Sequence, residues 1–390
     1  MNDEREKAIL GVSDREVLPP AEGRLRSFWR LFRKNRMAMA GLAVFGLFLA
    51  TALVSLVLTS GTDPFMDPAT VRLQEKLRPP LSKPNLAMLR PKEVPALGVY
   101  LFGTDDLGRD VFARMLQGAW VSLTVGFVAV GISVIVGIFL GGIAGYYGPR
   151  PVRADRVGAS VLLTLGAALL FTGSGVTGGA ILVAGHLFLF WDLLWGRVPL
   201  LREKMPWVRV LRVPLFSVDT LLMRLVDIML CFPSFFLILT VVALLPASIY
   251  NIMIVIGLTS WMGTARFVRA EFLSLREQDF VTAARALGVG DLRIIFRHMI
   301  PNAVAPVLVS ATIGIATAIL TEAGLSFLGF GVPPPHATWG NILSDGKRFI
   351  FDAPWLTFVP GVAILVVVLS FNLFGEGLRD TLNPRLKERH

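Results

Sequence analysis

Charge and cysteine are what this sequence has least of. Only 17% of its 390 residues are charged, against roughly 25% in an ordinary soluble domain. Hydrophobic residues make up 54% and mean hydropathy is +0.64. The excess lies in long blocks, which separates a membrane protein from a greasy globular one. A single cysteine, Cys231, rules out an intramolecular disulfide framework and a Cys-rich metal cluster. The four histidines, His186, His298, His336 and His390, are too scattered for metal-ligand spacing, so no metal and no cofactor is expected. No G-x-x-x-x-G-K-[ST] loop occurs, nor G-x-S-x-G or H-E-x-x-H. Gly173-Ser-Gly175-Val-Thr-Gly178 has the letters of a dinucleotide-binding turn, but it follows a hydrophobic run and no acidic residue with the required βαβ setting comes after it. The formal net charge of +10 does not indicate nucleic-acid binding, because the basic residues flank hydrophobic blocks and form no basic-aromatic or zinc-finger pattern.

A helix needs about 20 mostly apolar residues to cross the hydrocarbon layer, so uncharged runs read directly as spans. Met37 to Thr62 and Met115 to Pro149 are two such runs, the second predicting a helix from about Val121 to Tyr146. Val157 to Trp191 is interrupted by Thr172 to Gly179 and reads as two short spans joined by a turn. Ile228 to Ala265 is uncharged over 38 residues and breaks at Leu245-Pro246-Ala247-Ser248, giving two more. Ala303 to Phe330 and Ala353 to Gly375 bring the expected number to eight.

The first 36 residues are polar and charged, so the first block is expected to be an uncleaved anchor. With the N-terminus inside, 28 of the 38 basic residues fall on the inner side, and 8 of the rest lie in the long stretch from Ser60 to Gly118. Both termini are therefore expected in the cytoplasm. Ser27-Phe-Trp-Arg-Leu-Phe-Arg-Lys34 has aromatic and cationic residues at helical spacing and reads as an interfacial helix touching membrane lipid.

The largest inner segment after the N-terminus is 266–302. Within it Phe280, Ala283, Ala284 and Leu287 recur at i, i+3, i+4 and i+7, one apolar stripe on a short charged helix. Gly288 and Gly290 stop that helix. A second amphipathic piece, Asp291 to Met299, follows, and Pro301 opens the next span, where its missing N–H does no harm. Small residues on the stripe would let another protein approach closely, with Arg285, Arg293 and Arg297 supplying charge. A helix lying on the bilayer is the competing reading.

Thr282-Ala-Ala-x-x-x-Gly288, with Pro301 thirteen residues after the glycine, resembles the EAA loop of the membrane subunits of binding-protein-dependent ABC importers. Thr282 stands where that family usually has Glu, and His298-Met-Ile300 replaces Ile-x-Leu before the proline. Phe102-Gly103-Thr104-Asp105-Asp106-Leu107-Gly108-Arg109-Asp110 resembles the G-T-D-x-x-G-R-D element ahead of the second span in the C-type permease subunits of dipeptide, oligopeptide and nickel importers. Pro64 to Pro95, Arg224-Leu-Val-Asp227, Ser274-Leu-Arg-Glu277, Leu325-Ser326-Phe-Leu-Gly-Phe-Gly331 and Gly377-Leu-Arg-Asp380-Thr-Leu-Asn-Pro384-Arg385 are also similar, in the family's order. Trp120 departs from it, standing where a basic residue is common.

The resemblance implies an all-α polytopic membrane protein with a six-span importer core. In the family, Gly145-Tyr-Tyr-Gly148 runs almost directly into the Arg-Leu-Val-Asp span. Here residues 149–220 intervene and are expected to form an inserted two-span hairpin. The expected organisation is a cytoplasmic tail (1–36), a first span (37–59), an external segment (60–118), a second span (119–148), the hairpin (149–220) and the remaining core (221–390). The implied partners are a homologous second permease subunit, two ATP-binding ABC subunits and an extracytoplasmic solute-binding protein. The solute would be a di- or oligopeptide or a related solute such as nickel, moved inward by alternating access in the inner membrane. Ala283, Ala284, Arg285, Leu287, Gly288 and Pro301 would couple to the ATPases, and any ATP would be hydrolysed by those other chains.

Glu322 is an acid within an apolar span and so a candidate pathway or gate residue together with Ser326, with Thr321 and Ser326 as expected partners. Arg224 and Asp227, at i,i+3, are expected to pair locally. The main alternative function is an ion-gradient-driven secondary transporter, which would carry intramembrane acids in repeated halves. Only Glu322 and no internal repeat is found. A membrane scaffold is the third possibility.

Overall fold

The computed structural model describes residues 24–61, 64–148, 151–153, 163, 180–184, 186 and 214–382. Helices dominate. α1 (Arg24–Phe32) leads through Asn35, whose side chain accepts from the Ala38 N–H at 3.1 Å and caps α2 (Arg36–Thr59). α3 (Val111–Tyr147) follows the irregular segment 64–110. A short ribbon then pairs β1 (Pro151–Arg153) antiparallel with β2 (Pro214–Ser217). Next come α4 (Val218–Cys231), α5 (Ser234–Leu244), α6 (Ile249–Thr259), α7 (Trp261–Arg276) and α8 (Asp279–Ala286). α9 (Asp291–Phe327), α10 (Trp339–Gly346) and α11 (Trp355–Leu382) complete the chain.

Among the described residues five helices are long and apolar enough to cross a membrane: α2, α3, the α6–α7 stretch Ile249–Arg276, α9 and α11. The pair α4 and α5, bent by 82°, makes a sixth if it counts as one broken span. The expected spans of the hairpin, between Val157 and Trp191, lie almost wholly outside the described residues, as do the N-terminal 23 residues and the Pro384-Arg385 tail.

The chain forms two compact units. One comprises the described residues up to Leu123, Thr312–Ala323 and those from Pro334 onward; the other comprises Thr124–Ala311 and Gly324–Pro333. In the first unit α2 packs along α11, with Phe45 and Phe371 ring centroids 4.9 Å apart and Gly41 against the backbone of Ser370 and Phe374. Trp339 is buried and its indole N–H donates to the Met115 carbonyl at 3.1 Å. Apolar side chains, among them Phe48, Phe112, Met115, Trp339, Phe358 and Val362, line a cavity of about 510 Å³. That lining offers a solute almost no polar group.

In the second unit Gly137, Gly141 and Gly145 recur every four residues on α3 and face α7. A Cβ on Gly141 would run into the Ala265 carbonyl, and one on Gly145 would sit 2.8 Å from the Arg269 carbonyl. Only a side-chain-free stripe lets two backbones approach so closely, the small-residue packing typical of membrane helices. A core cluster of Tyr146, Val268, Phe272, Val281, Ala284, Ile294, Ile295 and Met299 lies at the end of this helix pair.

Several expectations are corrected. The architecture is all-helical as expected, apart from one short ribbon that brackets residues 154–213 and brings the ends of the expected insertion together. The helix of the second span starts at Val111, ten residues before Val121, and carries Arg114 within its first turns. Neutralising partners, described below, make that charge tolerable. Within the expected segment 266–302, α7 continues to Arg276 and α9 begins at Asp291, so Asp291 to Met299 is not a separate helix. Ile295–Met299 forms a π turn inside one continuous helix, with Ile300 N–H bonded to the Ile295 carbonyl. Pro301 explains the widening: it lacks an N–H and its ring crowds the carbonyl four residues back, so the ladder opens just ahead of it. The run from Ile228 has a second break, at Phe232-Pro233, before the expected one at 245–248.

Candidate functional site

The segment between α7 and α9 carries the strongest signal. Asp279 opens α8 and Arg285 lies in its last turn, so both charges suit the helix dipole. Thr282 donates its hydroxyl to the Asp279 carbonyl at 2.9 Å. The helix ends in a Schellman motif: Gly288 N–H bonds to the Arg285 carbonyl at 2.9 Å and Val289 N–H to the Ala284 carbonyl at 3.0 Å. That closure requires φ of +74° at Gly288, which glycine adopts freely.

The expected single stripe divides. Val281 and Ala284 turn inward and are buried in the core cluster, while Phe280, Ala283 and Arg285 are exposed and Leu287 is 83% exposed. Leu292 (67%) and Phe296 (64%), both on α9, are exposed too. Pro301, ten residues into the same helix, is exposed. The reason is geometric: α8 has scarcely more than two turns, and its i, i+3 pair 281/284 meets the spans while 280/283/287 does not. Sequence reasoning passed over Tyr146, buried at 3%. Its hydroxyl donates to Asp291 Oδ1 at 2.6 Å and its ring lies 5.0 Å beneath the Arg285 guanidinium.

The Gly-Thr-Asp motif folds into a clasp ahead of α3. Gly103 (φ +75°) lies against the Arg78 carbonyl and Trp355, and Gly108 (φ +74°) lies against the Arg72 backbone. The Thr104 hydroxyl donates to the Glu75 carbonyl at 2.5 Å and accepts from Arg78 N–H at 2.8 Å. Asp105 is fully buried. Its Oδ1 accepts from the N–H groups of Leu107 and Arg109, and its Oδ2 from Arg109 Nε at 2.7 Å and Arg114 Nη1 at 2.5 Å. Both arginines also reach Asp345, at 3.2 and 2.9 Å. Asp110, immediately before α3, accepts from Phe112 N–H at 2.9 Å, and burial pushes its carboxyl above the usual range. Burial likewise raises Asp106, helped by the charges of Asp105 and Asp345, and pushes the Tyr100 phenol up to about 12.

Among the described residues one group of three carboxylates, Asp105, Asp106 and Asp345, brings oxygens within 4.8 Å of one another. Arg109 and Arg114 already bind Asp105 and Asp345. The donor set therefore suits ion pairing better than a metal ion.

Glu322 is fully buried and accepts from the Ser122 hydroxyl at 3.4 Å; the same oxygen of Ser122 accepts from Trp339 N–H at 3.4 Å. Thr321 is not its partner, because its hydroxyl donates to the Thr317 carbonyl at 2.8 Å. Ser326 is buried. Asp227 does pair with Arg224, at 3.7 Å, but more closely with Arg266, at 2.5 Å. Asp219 pairs with Arg269 through two bonds, one of them 2.6 Å long. These two pairs tie α4 to α7.

Apolar spans, an exposed apolar ridge on the short helix between α7 and α9 and a clasp ahead of α3 define a polytopic membrane subunit. The family described as "Binding-protein-dependent transport system inner membrane component" matches residues 210–388, and "N-terminal TM domain of oligopeptide transport permease C" matches residues 23–80. Dipeptide transport system permease protein DppC of Alkalihalophilus pseudofirmus is 34% identical over 362 residues, 93% of this chain and 90% of the relative. Oligopeptide transport system permease protein OppC of Bacillus subtilis is 30% identical over 357 residues, 92% and 88% of the two chains. Di/tripeptide transport system permease protein DppC of Pseudomonas aeruginosa is 32% identical over 376 residues, 96% of each. The chain belongs to the C-type permease family of binding-protein-dependent ABC importers and is a multi-pass protein of the inner membrane. Nothing in these comparisons supports a secondary transporter.

Proposed function

We propose that this permease subunit imports di- or oligopeptides, or a related solute, and that it works with a homologous permease, two ATP-binding subunits and an external solute-binding protein. The names of the three relatives given above, each a peptide permease, support the solute class. The observation that carries the coupling assignment is the exposed ridge Phe280, Ala283, Leu287, with Leu292 and Phe296 beside it. Large apolar side chains crowded onto a charged inner loop favour burial against another protein. In this reading Leu287 fills a pocket of the ATPase, Ala283 allows close approach and Arg285 sets charge. Ala284 and Gly288 act indirectly, Ala284 by seating α8 on the spans and Gly288 by closing its end. Pro301 shapes the π turn next to Phe296.

The basic-residue balance supports cytoplasmic termini. The ribbon joining 151–153 to 214–217 supports an insertion that leaves and returns at one place, as a two-span hairpin added to a six-span core would. The buried bonds of Glu322 favour a structural tie over a pathway-lining group. Co-purification tests the whole assignment: an ATP-binding subunit should come down with this chain, and the reconstituted assembly should take up peptide only with ATP. Uptake by the isolated subunit driven by a proton gradient would overturn it.

A further inference from the structure

Tyr146 closes the Gly-Tyr-Tyr-Gly end of α3, a motif to which the coupling reading above gives no task. Three elements meet on this one side chain. It extends from the end of α3; its hydroxyl donates to Asp291, the first residue of α9, at 2.6 Å; its ring carries the Arg285 guanidinium of α8 at 5.0 Å. Tyr147 packs edge-on against it, ring centroids 4.9 Å apart. The surrounding contacts of Val281 and Ala284 are purely apolar and non-directional. They can slide. A hydrogen bond to a carboxylate and a cation over a ring face fix direction as well as distance.

We infer that Tyr146 is the positioning residue that turns displacement of α8 into displacement of the spans α3 and α9. When α8 moves, Arg285 moves with it and draws on the ring of Tyr146, and the Asp291 bond passes the same shift to the start of α9. The Gly288-Val289-Gly290 link between α8 and α9 is held at its first end by the Schellman bonds, and Tyr146 adds a directed side-chain connection between the same two helices. This inference rests on α8 being the ATPase-docking element, and its test separates the two claims.

The test uses the assembled transporter in proteoliposomes with its solute-binding protein and peptide, and reads three quantities: co-purified ATPase, ATP hydrolysis with and without loaded binding protein, and peptide taken up per ATP. Tyr146→Phe keeps the ring and its packing and removes only the hydroxyl. It should retain parental amounts of ATPase while uptake per ATP falls about tenfold, the range of a coupling free energy between sites. Asp291→Ala should do the same, Asp291→Asn, which keeps an acceptor oxygen, should restore most coupling, and the double variant Tyr146→Phe/Asp291→Ala should lose no more than either single one. Parental coupling in Tyr146→Phe, or additive losses in the double variant, would overturn the inference. Absence of ATPase from the parental preparation would instead overturn the docking reading on which it depends.

Discussion

Leu287→Ala probes the docking ridge with the least disturbance to the chain itself. Leu287 is 83% exposed, so its truncation leaves no cavity and should not change the stability of the subunit alone. Its worth appears only when a partner covers it. Three carbons are removed, each worth about 0.8 kcal/mol when fully buried, which sets a ceiling of about 2.4 kcal/mol. Association never realises the whole transfer energy, so about 1–2 kcal/mol is the expected loss. That corresponds to about 5- to 30-fold weaker binding of the ATP-binding subunit. The assay is a titration of purified ATPase onto the permease in nanodiscs, with thermal unfolding of the subunit measured in parallel. Unchanged affinity would refute the reasoning. So would a fall in the subunit's own thermal midpoint, since it would mean that Leu287 already packs within its own chain.

Three more outcomes follow from the geometry. Gly141→Val should destabilise the subunit by about 1–3 kcal/mol, because its side chain meets the Ala265 backbone; Gly131→Val, with nothing within 4 Å, should be tolerated, and thermal aggregation in detergent compares the two. Arg114→Leu leaves the fully buried Asp105 with Arg109 as its remaining guanidinium partner and should cost about 3 kcal/mol, read as faster proteolysis of the external segment. Asp106 has its pKa raised by burial, and its buried Oδ1 has no hydrogen-bond partner among the described residues. A raised acid supports the fold fully below its unfolded value of about 3.9, and that support is lost as pH rises through the folded value. Asp106→Asn should therefore unfold later than the parent at about pH 7 and converge with it in acid, seen in thermal midpoints across pH.

The spans were legible because lipid admits no other reading of 20 uncharged residues. Their ends were not. Arg114, Arg266 and Arg269 end the uncharged runs, yet α3 and α7 run on through them beside Asp105, Asp345, Asp227 and Asp219, and of these partners all but Asp105 lie far away in sequence. The short helix α8 could be read from its apolar positions and its terminating glycine. Which positions face inward depends on what the helix leans against, so Ala284 changed sides. Tyr146 left no local signal, since its partners come from two other elements. Gly137, Gly141 and Gly145, in contrast, stand four apart in plain view, and that spacing alone indicates close helix packing. Pro233 and Pro301 likewise mark the bend and the π turn that uncharged-run reading passed over.

The most direct measurement places a cysteine at position 287. With the native exposed cysteine removed (Cys231→Ser), Leu287→Cys is reacted with a short bifunctional crosslinker in membranes containing the whole transporter. A covalent adduct with the ATP-binding subunit, absent when a cysteine replaces the buried Val281, is the predicted result. Labelling of residue 287 by a membrane-impermeant reagent added outside, or no adduct in membranes where both subunits are present, would contradict it.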